Sequence, residues 1–430
     1  MIKTNAIKAI SLLWVGSLAG AGFAFLTQVL LARGLGSSSF GIFFSSLSTI
    51  TLLAPLAGFG ISQFWLKIFG AEGWAAIRWI KPSIKFVVVS TTLLILVVIF
   101  GAAFFNHDVE SKKILMILSF YILGQLSVEL VSSKLQLEER YTKLALWQLL
   151  PHLLRFIIVL AATTFYAEYI SVYVYALFYS AVAIVFFVFS LPELLAMKNG
   201  DFKLKGHKQA SLLSRASDPT ALNAASESWP FGMAAFAYLI YFQSNIILLK
   251  YISGNQEAGL YSVAFTIMTA VYLLPSVIYQ RFLTPKIHRW ANHEPEKFYK
   301  VYRTGNWVML VLGAAAMIAI YILADWAVPL FFGEQYRESA EILKILSLSA
   351  PIIFVAFSAG ATLVTQQHMK IKVKYMMAVA LINLLLNLLL IPKLHTTGAA
   401  IATVISNTIL LIFYMYGAKK FVFKTVRIKS

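Results

Sequence analysis

Residues 83–104 read SIKFVVVSTTLLILVVIFGAAF, and the only charge among these 22 residues is Lys85, the third of them. As a helix the stretch rises about 33 Å, which matches a hydrocarbon core about 30 Å thick. Hydrocarbon offers backbone N–H and C=O groups no partner, so a crossing segment of this length and composition is helical. Working outward, eleven further apolar runs have similar length: 7–31, 40–59, 113–131, 144–165, 169–191, 229–249, 259–282, 306–329, 340–365, 374–391 and 397–416. The reading is an all-α polytopic membrane protein of twelve transmembrane spans.

Composition agrees. The 430 residues are 60% hydrophobic and 13% charged, against about 45–50% and about 25% in soluble domains. The first run passes for a signal peptide until its length is counted. It continues to Leu31, beyond the ~7–15 residues of a cleaved apolar region, and is expected to be retained. The net charge of +18 raises nucleic acid as a partner, but the basic residues lie between apolar runs rather than on one polar surface. No nucleic acid is expected. The absence of Cys excludes disulfides and thiolate metal sites.

Lys and Arg favour the cytoplasmic ends of spans. With the N-terminus inside, the inner segments hold 28 of the 36 basic residues and the outer ones six, leaving Arg155 and Lys344 within spans. The alternation predicts a multi-pass inner-membrane protein with both termini cytoplasmic. The longest polar connection, 192–228, divides the chain into a six-helix lobe at 1–191 and another at 229–417, with a basic cytoplasmic tail at 418–430. This connection contains Gly200, Gly206 and Pro219 and reads as a mobile linker.

The halves also repeat. An offset of 218 residues aligns Leu31, Gly36, Gly41 and Phe43 with Leu249, Gly254, Gly259 and Tyr261, and an offset of 228 aligns 114–119 with 342–347. Six spans per half make the repeats parallel, a common build of alternating-access carriers with a site between the halves.

Residues 30–43 (LLARGLGSSSFGIF), 55–60 (PLAGFG), 258–262 with Ala264, 331–336 (FFGEQY), and 378–406 with Asn383, Asn387 and Gly398-Ala399-Ala400 carry a resemblance. The chain resembles the O-antigen and polysaccharide flippases of the multidrug/oligosaccharidyl-lipid/polysaccharide exporter superfamily. The resemblance implies two six-helix lobes around a central cavity. It also implies movement of undecaprenyl-pyrophosphate-linked oligosaccharide from the inner to the outer leaflet by alternating access. Membrane lipids, an O-antigen polymerase and a chain-length regulator would be its partners. One departure stands out: many relatives have an acidic residue late in span 7, where this chain has Asn245.

A headgroup of that kind calls for cationic and amide side chains. Arg155, in the middle of span 5, has a planar fork suited to phosphate oxygens; the alternative is an ion pair with Glu129 on span 4. Arg281 and Lys67 are candidates for the cytoplasmic mouth, against snorkelling to lipid phosphates. Gln28, Gln243 and Asn245 suit sugar hydroxyls, against interhelical hydrogen bonding. Asp325 is a candidate coupling group or an interfacial acid. Trp14, Trp147 and Trp307 read as interfacial belt or as sugar-stacking rings, and Pro151 as a kink that aims Arg155. No metal-ligand spacing, nucleophile elbow or carboxylate pair for glycosyl chemistry is present, so no cofactor, metal or catalytic residue is expected. A multidrug or metabolite exporter of the same superfamily is the second reading, and a polytopic polymerase or glycosyltransferase the third.

Overall fold

A computed structural model describes residues 2–104, 108–166, 171–201, 203–205, 218–283, 286–287, 290–291, 294–364 and 368–423, with side chains at all of these except 2–11 and 280–282. No strand occurs among the described residues. The helices are α1 (Ile2–Leu53), α2 (Pro55–Gly58), α3 (Ile61–Glu72), α4 (Ile80–Phe104), α5 (Val109–Leu118), α6 (Tyr121–Leu137), α7 (Tyr141–Phe165), α8 (Val172–Lys198), α9 (Ala221–Ser253) and α10 (Asn255–Ser276). After a π turn at Val277–Leu283 come α11 (Pro295–Phe332), α12 (Ser339–Ser347), α13 (Ser349–Thr362) and α14 (Met369–Gly417). Among the described residues eight helical runs are long and apolar enough to cross a membrane, nine if the bent pair α12–α13 is one. The number is below twelve because α1 and α14 are each two helices joined at a kink, at Gly36 and His395, and α1 to α4 form one run.

The chain forms two compact units, Met1–Gly34 with Ser46–Leu239, and Leu35–Ser45 with Ile240–Ser430. This differs from the division at 192–228. α8 continues through Pro192 to Lys198 and α9 already begins at Ala221, so the two helices take up both ends of that connection. Part of that remainder is tied down. The Lys203 N–H donates to Glu138 Oε1 (3.3 Å), the Lys205 N–H donates to the Leu137 carbonyl (3.2 Å), and Leu204 is buried beside Trp65, Phe69 and Ala224. Residues 206–217, the centre of the expected mobile linker, lie outside the described residues, as do Met1 and 424–430.

In the first unit, small residues set the helix spacing. A Cβ on Gly16 would lie 3.4 Å from that of Ala145, and one on Gly20 3.4 Å from the His152 ring. One turn on, Phe23 packs on Phe156 at 5.3 Å. α1 therefore runs along α7 through residues three or four apart, as helix periodicity requires. Gly124 likewise lets α6 approach Ala183 of α8, where the Ser180 hydroxyl donates to the Ile117 carbonyl at 2.7 Å.

In the second unit the repeat shows itself as a reciprocal contact. A Cβ on Gly41 would lie 1.8 Å from the Asn255 carbonyl oxygen, and one on Gly259 2.0 Å from the Ser37 carbonyl oxygen. Both pairs are related by the 218-residue offset: Ser37 corresponds to Asn255 and Gly41 to Gly259. Gly36 and Gly254, also equivalent, have φ of 76° and 106°, open to glycine because it lacks a Cβ. This backbone-to-backbone contact explains why Leu35–Ser45 belongs to the second unit. At the other end of the unit, Phe423 packs against Phe298, Tyr299 and Tyr302 at 4.9–5.3 Å. The basic tail expected at 418–430 is thus packed against α11 as far as residue 423.

Candidate functional site

α6, α7 and α8 bring together the groups around Arg155. Pro151 sits within α7, where its missing N–H frees the carbonyl four residues earlier, and Arg155 follows one turn later. Its guanidinium carbon lies 4.8 Å from the Tyr121 ring centre and 5.2 Å from that of Tyr179. The two rings are 6.2 Å apart at 39°, so the cation rests in a notch between them. Its Nη1–H donates to the Tyr121 hydroxyl at 3.2 Å, and its Nε–H is buried with no hydrogen-bond partner. The Gln125 carbonyl oxygen, one turn from Tyr121, is also buried without a partner. Two turns before Arg155, Gln148 donates to Ser132 at 3.3 Å.

The Arg155–Glu129 ion pair of the alternative reading is not formed. Tyr121 and Glu129 are eight residues apart on α6, about 12 Å along its axis. Arg155 stands at the level of Tyr121, and Glu129 is exposed. A charged Arg at mid-membrane costs about 2.5–3.5 kcal/mol on the insertion scale, and each cation–π contact returns about 0.5–2 kcal/mol. The two rings therefore offset much of the cost while leaving the charge in place. Lys344, the other basic residue inside a predicted span, is treated oppositely: it contacts Asp325 at 2.9 Å and Glu341 at 2.8 Å. Asp325 is 64% exposed in that ion pair.

The remaining candidates are dispersed. Lys67 is exposed, 3.6 Å from Glu227 and 5.9 Å from the Phe231 ring. Arg281 falls on the π turn, and its side chain lies outside the described residues. Gln28 is half-buried on α1. The half-buried Gln243 of α9 keeps a buried carbonyl oxygen with no partner. Asn245 departs from the sugar-binding reading. It is 2% exposed, donates to Tyr261 (2.9 Å) and Thr403 (2.7 Å), and accepts from Asn387 (2.6 Å). Asn387 also donates to Asn383 Oδ1 at 3.0 Å, and Asn383 donates to Ser406 at 3.1 Å. This network of neutral amides and hydroxyls holds α9, α10 and both halves of α14 together. Of the tryptophans, Trp147 packs edge-on against Phe186 at 5.2 Å and Trp307 is exposed.

Sequence reasoning missed Tyr121 and Tyr179, which nothing in the linear pattern singled out. It also missed a charge cluster at the ends of α6 and α8. There the buried Lys134 contacts the Glu193 carboxylate and, at 3.2 Å, its carbonyl, while Glu138 contacts Arg140 at 2.9 Å. No group of three or more His, Asp or Glu side chains placed to hold a metal occurs among the described residues.

The sequence profile of the polysaccharide biosynthesis protein family matches residues 6–291, two thirds of the chain. The chain belongs to that family. A second profile, MatE, matches residues 230–389. The chain is 23% identical over 414 residues to the probable low-salt glycan biosynthesis flippase Agl15 of Haloferax volcanii, covering 94% of this chain and 82% of that one. It is 28% identical over 175 residues to the capsular polysaccharide biosynthesis protein CapF of Staphylococcus aureus, a match of 40% of this chain and 44% of the length of CapF. Among solved structures, the lipid II flippase MurJ in an inward closed conformation superposes with a TM-score of 0.73 at 15% identity, over 96% of this chain and 88% of MurJ. These likenesses establish a multi-pass membrane transporter fold.

Proposed function

We propose that the protein is a flippase for lipid-linked oligosaccharide, moving it from the cytoplasmic to the outer leaflet by alternating access. The carrying observation is Arg155, a cation inside the apolar part of the first unit that meets two tyrosines and no carboxylate. An anionic lipid-linked headgroup is the substrate chemistry that uses such a charge. Arg155 is its principal contact, with Gln28, Gln243, Lys67 and Arg281 as further polar contacts along the path. In this reading the chain crosses the inner membrane twelve times with both termini cytoplasmic. The run from α1 to α4 supplies three crossings and α14 two. An O-antigen repeat unit on undecaprenyl pyrophosphate is the proposed cargo, and O-antigen polymerase and a chain-length regulator are the proposed protein partners.

The MatE match favours drug export as a second reading. Cationic drugs call for buried carboxylates, whereas the buried polar network of the second unit contains amides and hydroxyls. The test is the full chain in proteoliposomes loaded with a fluorescent undecaprenyl-pyrophosphate oligosaccharide. Dithionite quenching then measures its passage between leaflets. Protein-dependent passage that is lost in Arg155→Ala is the expected result. Absence of passage, with efflux of a cationic dye instead, would overturn the flippase reading.

A further inference from the structure

We propose that Tyr121 and Tyr179 are positioning residues that hold Arg155 without neutralising it, so that its charge remains available to an anionic headgroup. The inference rests on the reading of Arg155 as a headgroup contact. Basic side chains are braced in two ways in this protein. Lys344 contacts two carboxylates, Lys134 contacts Glu193, and Lys67 contacts Glu227; each such pair cancels a charge. Arg155 has the faces of two tyrosines and one hydroxyl.

A ring quadrupole attracts the cation, and a phenol oxygen accepts one of its five N–H bonds, yet neither carries a formal charge. The guanidinium therefore keeps its net positive charge and most of its donors. The unsatisfied Nε–H marks an edge of the fork that is held for a partner rather than spent inside the protein. An arginine paired with a carboxylate would first have to exchange that partner for the incoming phosphate, at the cost of leaving the carboxylate buried and alone. The tyrosine notch removes that competition. It also fixes the plane of the fork, which bidentate binding of phosphate oxygens requires.

A purely structural brace makes the opposite prediction, because a carboxylate would be the stronger brace. The decisive variant is therefore Tyr121→Glu, tested as the full chain in the proteoliposome assay with the same fluorescent undecaprenyl-pyrophosphate oligosaccharide. The initial rate is followed against probe concentration, and thermal stability in parallel. Tyr121→Glu is expected to insert, to be at least as thermostable as the parent, and to lose flipping. Tyr121→Phe, which keeps the ring face, should retain at least half the rate. Tyr121→Leu and Tyr179→Leu should raise the half-saturating probe concentration about tenfold, the scale of one desolvated cation–π contact, with a smaller change in maximal rate. Parental flipping in Tyr121→Glu would overturn the proposal. So would equal activity of the Phe and Leu variants at Tyr121, a comparison that holds even where the Glu variant does not insert. Parental flipping in Arg155→Ala would instead overturn the headgroup reading itself, so the two failures are distinguishable.

Discussion

Gly41→Ala isolates the reciprocal contact between the two repeats. The added Cβ would stand 1.8 Å from the Asn255 carbonyl oxygen and 2.8 Å from the Gly259 nitrogen, where real Cβ contacts essentially never fall below 3.0 Å. The opposing backbone must therefore withdraw by at least 1.2 Å. Both obstacles are main-chain atoms at the start of a helix, so no side-chain rotation relieves the overlap. A gap of that size forfeits about a quarter to a half of the dispersion energy of the surfaces it separates. With the usual overpacking penalty the expected loss is about 2–3 kcal/mol. The assay is thermal unfolding of the purified protein in detergent, followed by size-exclusion chromatography. Gly22→Ala serves as control, because nothing lies within 4 Å of its added Cβ. The double variant Gly41→Ala/Gly259→Ala should lose less than the sum of the two single losses, because one withdrawal makes room for both methyls. A Gly41→Ala protein as stable as Gly22→Ala would show that the backbone contact at Gly41 is not tight, and strict additivity would rule out the shared displacement.

One other perturbation addresses the second unit. Asn245→Leu strands donors or acceptors on Thr403, Tyr261 and Asn387, at about 1–3 kcal/mol for each buried group left unpaired. Its thermal unfolding in detergent should fall well below that of the parent, and an unchanged midpoint would show the network to be dispensable.

The membrane-spanning class was legible because hydrocarbon imposes one rule on every residue of a span, as in 83–104, so a linear window suffices. The glycines at 36, 41, 254 and 259 were legible as a repeat, but their meaning was not: only three dimensions show Gly41 against Asn255 and Gly259 against Ser37. Arg155 was legible as an isolated charge in an apolar run. Its partners were not, because Tyr121 and Tyr179 belong to α6 and α8 and nothing local separates a cage tyrosine from a membrane-belt tyrosine. Glu129 was the natural guess for a partner, since opposite charges on neighbouring helices invite pairing. It failed on axial height, which sequence order alone does not supply. Asn245 carried a signal with two readings. A polar residue in a span reads equally as a contact for substrate or for another helix, and the partners that decide the matter, Thr403 and Asn387, are more than 140 residues distant.

Duplication explains why the two units handle their polar groups so differently. At the 228-residue offset that aligns 114–119 with 342–347, Arg155 corresponds to Asn383 and Tyr121 to Ser349. Asn383 donates to Ser406 and accepts from Asn387, and Ser349 pairs with the Tyr272 hydroxyl at 2.6 Å. At these positions the second unit satisfies its buried groups within itself, and the gain is interhelical cohesion. At the equivalent positions the first unit has a guanidinium with an unmatched N–H, which cohesion alone would not favour. A buried donor without a partner costs free energy in every state in which it stays unsatisfied. An amide at the equivalent position, as Asn383 is, finds its partners within the second unit. Under the proposed function, an anionic guest supplies the partner that Arg155 lacks. Under the proposed function, recognition of the headgroup falls on α6, α7 and α8 of the first unit. At the same offset α6 corresponds to α13, and α7 and α8 to the two parts of α14, where Ser349 and Asn383 are held in neutral hydrogen bonds.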